Sequence, residues 1–327
     1  MEDGSKTYPR LVGDIGGTHA RFALVRGPGA ALEFQRTLEC AHFDGPAAAI
    51  GHYLHGLSAP PPLRAVLGVA TPVTGDDVRL INHPWRFSVE GLRRGLRLER
   101  LVVINDFEAM ACAIPSLGAS GVEQIGGGAA LAGSPLALLG PGTGLGVATL
   151  APTASGYVPL AGEGGHVTLA ACNDAEADVF RILRQRHGHV SAERVLSGPG
   201  LEELYALLSV GRGQEAEPLR AEQISARGIA ATCAICAEAM QLFCAVLGTV
   251  ASNLALTVGA RGGVYIGGGI VPRFGAYLAA SAFRRRFEDK GRFASYLAAI
   301  PTYVIRAENP GLIGAARYLD RFGQKPH

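Results

Sequence analysis

The chain has 327 residues, 48% hydrophobic and 18% charged, with a formal net charge of +2. These proportions exclude intrinsic disorder and a small disulfide-stapled scaffold, and with no long block of like charge they exclude an electrostatic binder of nucleic acid or membrane surfaces. The length suggests about two domains, and 45 glycines, about twice the usual ~7%, call for backbone that turns tightly or lies close to a ligand.

Residues 1–10 carry no apolar secretory core, and the six cysteines (Cys40, Cys112, Cys172, Cys233, Cys236, Cys244) form no compact framework. A reducing, cytoplasmic setting is therefore expected. Strand-length apolar runs follow at Leu11-Val12 with Phe22 to Val25, at Ala65 to Ala70, at Leu101 to Ile104, at Leu136 to Leu139 with Leu145 to Leu150, at Gly263 to Ile266 and at Tyr303 to Ile305. They mostly do not alternate, as expected of sheets covered on both faces. Helical spacing lies between them: Val179, Ile182 and Leu183 share a face, as do Leu201, Leu204, Tyr205 and Leu208, and Gln223 to Val258 reads as a long apolar helical region bent or split near Gly248. The class is α/β with mixed sheets. Ser58 to Pro62 and Gly211 to Pro218 read as surface loops.

Within the long region, Cys233 and Cys236 form a lone CxxC that reads as helix interior, with no second pair or His to complete a zinc set. Ala239 to Ala260 has no charged residue, yet Gln241, Thr249, Ser252, Asn253 and Thr257 interrupt it and no aromatic belt flanks it. A buried core helix is the expected form, with no membrane partner.

One plan occurs twice. Leu11-Val12, the turn Gly13-Asp14-Ile15-Gly16-Gly17-Thr18 and Phe22 to Val25 make strand, glycine turn, strand; Leu136 to Leu139, Gly140-Pro141-Gly142-Thr143-Gly144 and Leu145 to Leu150 repeat it. Such turns expose backbone N–H groups that accept phosphate, and Thr18 and Thr143 add hydroxyls. Neither loop is a P-loop or a dinucleotide fingerprint, and two hairpins each opening an α/β half suggest a duplicated core with a cleft between its halves. Asp14 beside phosphates makes sense through Mg²⁺, or else as a turn residue stabilising Gly16. Asn105-Asp106 ends an apolar strand, where a carboxylate serves as general base in phosphoryl transfer or simply caps the next helix. Glu163 and His166 in Gly162-Glu163-Gly164-Gly165-His166 suit sugar hydroxyls together with Asn105 and Asp106, and Glu193 after Ser191 fits a helix first turn.

With these residues, the chain resembles the bacterial glucokinases of the hexokinase, actin and sugar-kinase superfamily. Ten segments carry the resemblance in order: LVGDIGGTHARFAL (11–24), ATPVTGD (70–76), NHPWRFS (82–88), INDFEAMACAIP (104–115), LGPGTGLGVA (139–148), PLAGEGGHV (159–167), GHVSAERVLSGPGL (188–201), GGVYIGGGIVPRF (262–274), FEDKGRF (287–293) and NPGLIGAA (309–316). It implies a two-domain actin-like ATPase (ribonuclease H-like) fold, with a small domain of residues 1–113 plus 308–327 and a large domain of residues 114–307. It implies ATP-dependent phosphorylation of glucose to glucose 6-phosphate, feeding glycolysis, with Mg²⁺ and in a homodimer. Asp106 would be the catalytic base, and Asn105, Glu163, His166 and Glu193 would join it as sugar contacts. Gly13 to Thr18 and Gly142-Thr143-Gly144 would hold phosphates, with Asp14 reaching Mg²⁺ through water, and Gly267-Gly268-Gly269 would lie against adenosine. His19 departs from the pattern, since relatives usually carry Asn there.

Two other readings compete. A kinase for mannose or an N-acetylhexosamine, of the repressor/open-reading-frame/kinase group, would carry a cysteine-rich zinc motif after the glycine-histidine turn, where this chain has only Cys172. A sugar-sensing regulator would need a DNA-binding module, and only about ten residues precede the first strand.

Overall fold

The computed structural model describes residues 8–81 and 83–322. Asn82 of the NHPWRFS segment and the two ends of the chain lie outside them.

Strand β1 (Arg10–Ile15) has Leu11, Gly13 and Ile15 on one face and Val12 and Asp14 on the other, by the two-residue alternation of extended backbone. It turns through Gly16-Gly17-Thr18 into β2 (His19–Val25), which runs antiparallel both to β1 and to β3 (Glu33–Glu39). On its other side β1 pairs parallel with β4 (Arg64–Val69). β5 (Asp77–Arg79) and β6 (Arg86–Ser88) form a separate ribbon, and β7 (Arg100–Asn105) completes the sheet in the order β3-β2-β1-β4-β7. Helix Pro46–His55 and its neighbours cover one face over Leu11, Ile15, Phe22, Tyr53 and Leu67. Helices Asp106–Ala113 and Pro310–Phe322 cover the other over Val12, Ala23, Val66 and Ile104, through Ala109, Leu312, Ala315 and Leu319. Covering on both faces is why these strands read as continuous apolar runs.

The second sheet repeats the plan. It comprises β8 (Val122–Ile125), β9 (Leu136–Pro141), β10 (Leu145–Thr153), β11 (Gly156–Ala161), β12 (Val264–Ile266) and β13 (Thr302–Ile305), in the order β11-β10-β9-β12-β13-β8. Three antiparallel strands again lead into parallel ones, with β8 added as an antiparallel edge. The strands absent from the sequence reading are β3, β8, β11 and the β5–β6 ribbon. β3 and β8 are edge strands, and β3 reads EFQRTLE with no buried residue, so no apolar pattern announces it.

Contact density divides the chain into two compact units, one ending at residue 117 and resuming at 307, the other spanning 118–306. The expected breaks were at 113/114 and 307/308. Helix Ala234–Val258 is the centre of the second unit's core; its most apolar stretch is 72% buried. The expected split at Gly248 is not there: the helix is unbroken through that position, and a Cβ on Gly248 would stand 2.3 Å from the Phe283 carbonyl oxygen, so this glycine serves close packing of helix Phe283–Glu288. The break falls earlier, between helix Ala221–Ile229 and Cys233, where Ala231 takes a positive φ of 54°. Cys233 is therefore the N-cap of the long helix and not part of a helix interior.

Candidate active site

The first unit holds the first glycine loop and the Asn105-Asp106 pair. Gly13 and Ile15 lie within β1, paired on both sides to β2 and β4. The Ile15 side chain is fully buried, and a Cβ on Gly13 would stand 2.6 Å from the Leu67 Cδ2. Packing accounts for both residues, so the part of the loop open to a ligand narrows to Gly16, Gly17 and Thr18. The Gly16 N–H closes the turn on the His19 carbonyl at 3.0 Å, and the Thr18 carbonyl accepts from the Cys40 N–H at 2.9 Å. Thr18 and His19 are exposed at the tip.

Asp14 emerges on the opposite face of β1, against the start of helix Pro310–Phe322, where a Cβ on Gly311 would lie 3.0 Å from the Asp14 Cγ. Its Oδ2 sits 3.4 Å from Arg21 Nη1, and the Gly16 N–H it would serve as a turn residue is bonded to His19 instead. Burial pushes the Asp14 carboxyl above its ordinary range, and the Arg21 guanidinium opposes that shift. No group of three or more His, Cys, Asp or Glu side chains suited to a metal occurs among the described residues. A single carboxylate, with Arg21 3.4 Å away, fits Mg²⁺ of the kind that keeps its waters and takes most of its ligands from substrate phosphates.

Asn105 ends β7, and its Oδ1 accepts from the N–H groups of Phe107 at 2.9 Å and Glu108 at 3.3 Å. The cap of helix Asp106–Ala113 is thus Asn105 rather than Asp106. Its Nδ2 donates to the Thr71 carbonyl at 3.3 Å, which leaves one N–H of that amide as its remaining donor for a ligand. Asp106 is the first helical residue, half-buried, with Oδ1 accepting from the Phe107 N–H at 2.9 Å. Gly68 in β4 lets this helix settle onto the sheet: a Cβ there would meet Ala109 Cβ at 3.1 Å and Asp106 Cα at 3.5 Å. One glycine, a cap and a strand end together place one carboxylate.

The second unit brings its predicted residues together around Leu145. Glu193 lies in the short helix Ala192–Val195, which Ser191 caps, and its Oε2 accepts from the Leu145 N–H at 2.9 Å. A Cβ on Gly144 would stand 2.3 Å from that oxygen, and one on Gly165 would stand 2.1 Å from the Leu145 carbonyl. Glycine at both positions lets the Glu193 carboxylate and the Gly164–His166 turn close on the same residue. His166 then lies between two carboxylates, 3.8 Å from Glu163 Oε2 and 3.9 Å from Glu193 Oε1. That chain of two acceptors and an imidazole suits vicinal hydroxyls.

The second glycine loop adjoins this cluster. The Gly142 N–H closes on the Gly144 carbonyl at 2.8 Å, and the Gly142 carbonyl accepts from the Gly198 N–H at 2.9 Å, at the start of helix Gly198–Gly211. Gly267-Gly268-Gly269 leaves β12 alongside the loop: the Gly267 N–H reaches the Leu139 carbonyl, and Gly268 has φ 78°, where a Cβ would stand 2.4 Å from the Pro141 carbonyl oxygen. Gly269 is exposed with open space beside it, so the site offers a flat, side-chain-free wall. Sequence reasoning missed Leu145, Thr71, Arg21 and Gly198. Only Gly198 carried a signal, the SGPG helix start; the others act through backbone groups or through partners that only the fold brings near.

A family model described as Glucokinase matches residues 11–322. The glucokinase of Aromatoleum aromaticum is 56% identical over 319 residues, covering 97% of this chain and 96% of its own. A glucokinase structure from an Antarctic psychrotroph superposes with a TM-score of 0.86 at 41% identity, over 95% of this chain and 98% of its own. At 18% identity and a TM-score of 0.63, the fold extends to a glucokinase of the repressor/open-reading-frame/kinase family from Streptomyces griseus, solved with glucose and AMPPNP, covering 94% of this chain and 98% of its own.

Proposed function

The chain belongs to the glucokinase family, has the actin-like ATPase fold and phosphorylates glucose with ATP; on that premise we propose that Asp106 is the general base of the transfer. Its carboxylate accepts the proton of the sugar 6-hydroxyl as that oxygen attacks the γ-phosphorus, while the bond to the bridging oxygen breaks and ADP leaves. The observation that carries this reading is the placement of Asp106, at a strand's carboxyl end as the first residue of a helix whose cap is Asn105.

The other assignments follow residue chemistry. The N–H groups of Gly17, Thr18, Thr143 and Gly144 and the hydroxyls of Thr18 and Thr143 meet the phosphates, and Gly267 to Gly269 accommodate adenosine where any side chain would intrude. Glu163, His166 and Glu193 orient the sugar by hydrogen bonds, and Asn105 contributes one N–H. Mg²⁺, held through water by Asp14, would neutralise phosphate charge as it develops. The six cysteines, all free, support a reducing cytoplasmic setting, and the resemblance supports a homodimer, which sedimentation at micromolar concentration tests.

The experiment is a hexose panel with ATP run on the parent and on Asp106→Asn. Loss of a general base typically lowers turnover by ~10²–10⁴-fold, and kcat/KM for glucose should exceed that for its epimers. Full turnover in Asp106→Asn, or equal efficiency across epimers, would overturn the assignment.

A further inference from the structure

We propose that Cys233 and Cys236 form a redox-active dithiol that a low-molecular-weight disulfide converts to an intrachain disulfide. The transfer of phosphate makes no use of this pair, and nothing in the glucose site requires it.

The geometry begins at the helix start. Cys233 is the N-cap of helix Ala234–Val258, and its Sγ accepts from the Cys236 N–H at 3.3 Å, where a serine or aspartate oxygen usually sits. That contact holds the Cys233 sulfur over the first turn, beside the residue that carries the second thiol. One turn of helix separates the residues, a spacing whose Cα separation a disulfide spans without moving the backbone. Cys233 is partly exposed and Cys236 is fully buried, the division of labour expected of an attacking and a resolving thiol.

Electrostatics sorts the pair the same way. The long helix presents its positive end and its first N–H groups to Cys233, and Arg227 on helix Ala221–Ile229 adds a cationic field. Those hydrogen bonds and Arg227 hold the Cys233 thiol below its ordinary range in spite of burial, whereas burial first and the Cys233 sulfur second push Cys236 up to about 12. The negative groups facing the pair are few: Glu217, which is bonded to Arg227 at 2.9 Å, is the carboxylate that acts on it. A zinc reading fails for lack of ligands, because no third His, Cys, Asp or Glu completes a cluster among the described residues.

The chemistry balances as two thiol–disulfide exchanges. The Cys233 thiolate attacks one sulfur of the small disulfide, forming a mixed disulfide and releasing one small thiolate. Cys236 loses its proton to that thiolate or to water, attacks the Cys233 sulfur, and expels the second small thiol. The protein is oxidised by two electrons, the small disulfide is reduced to two thiols, and an excess of small thiol reverses both steps.

Equilibration of the full-length protein with oxidised and reduced glutathione at neutral pH, acid quenching, alkylation and peptide mapping tests the proposal. The parent should lose two hydrogens from the peptide carrying Cys233 and Cys236, with no glutathione retained there, and should regain them in excess reduced glutathione. Cys236→Ala should instead accumulate a single glutathione on Cys233, and Cys233→Ser should give neither product. Kinase turnover near that of the parent reports that each variant has folded, and the parent's peptide map decides the matter by itself if one has not. An unmodified 233–236 peptide under conditions that glutathionylate the exposed Cys172, or a mixed disulfide that persists in the parent, would overturn the proposal.

Discussion

Gly314→Ala tests how the fold holds the Asp106 carboxylate, the proposed base. Gly314 lies on helix Pro310–Phe322 where it crosses helix Asp106–Ala113, and a Cβ at this position would stand 1.6 Å from the Ala109 carbonyl oxygen, 2.6 Å from the Ala109 carbonyl carbon and 3.0 Å from the Ala113 nitrogen. All three atoms are backbone, so no side chain can swing aside. Reaching an ordinary contact distance requires the two helices to part by roughly 1.5 Å, and overpacking of this kind costs about 1–3 kcal/mol. At ~2–4 °C per kcal/mol the melting temperature should fall by several degrees. Asp106 is the first residue of the displaced helix, and a shift of about 1 Å in a reacting group can cost ~10²-fold. Calorimetry and steady-state kinetics with glucose and ATP check both effects, with kcat falling more than KM rises, because the Asp106 carboxylate is misplaced while Glu163, His166 and Glu193, the proposed sugar contacts, are untouched. A variant with parental melting temperature and kcat would refute the account of how Asp106 is positioned. Gly51→Ala is the control. This exposed glycine lies inside helix Pro46–His55 with nothing near its would-be Cβ, so alanine there should stabilise by about 0.5–1 kcal/mol and leave kinetics alone.

Three further outcomes are expected. Gly144→Ala puts a methyl group 2.3 Å from Glu193 Oε2, so it should break the bond to Leu145 and raise KM for both glucose and ATP in initial-rate measurements; an effect confined to ATP would show that Glu193 does not link the two. Glu108→Gln should raise the melting temperature at neutral pH, because burial pushes the Glu108 carboxyl above its ordinary range, the Asn105 backbone contact opposing only in part. The folded state then binds the proton more tightly than the unfolded one, so stability present below pH ~4 is lost as pH rises through the folded pKa; the variant's advantage should be absent at pH ~3.5 and grow above it, and a pH-independent difference would contradict the burial argument. Trp85 is buried with its Nε1–H donating to the Phe43 carbonyl at 2.9 Å, so Trp85→Phe should cost about 1–3 kcal/mol in chemical denaturation by stranding that carbonyl, with kcat retained.

Much of this protein was determined by local sequence. Apolar runs without alternation announced sheets covered on both faces, and the repeated strand, glycine turn, strand announced two halves with one plan, since burial and turn chemistry are written into neighbouring residues. Asp106, Glu163 and His166 were legible as candidates because acids and an imidazole stood amid glycines and at a strand end, whereas Glu193 became one only through the family resemblance.

What each of them does locally was decided only by the tertiary structure. The sequence left Asp106 readable equally as general base or as helix cap, and the backbone assigned the cap to Asn105. Glu193 looked like a first-turn residue, and the fold sends its carboxylate to the Leu145 N–H, 48 residues away in the chain. Gly13 read as part of a turn and Gly248 as a bend or split, and both, like Gly314, prove to be points where backbone meets a neighbouring element. Glycine's letter records only that a side chain is missing; whether the space belongs to a ligand, a turn or another helix depends on long-range packing, which no local pattern encodes.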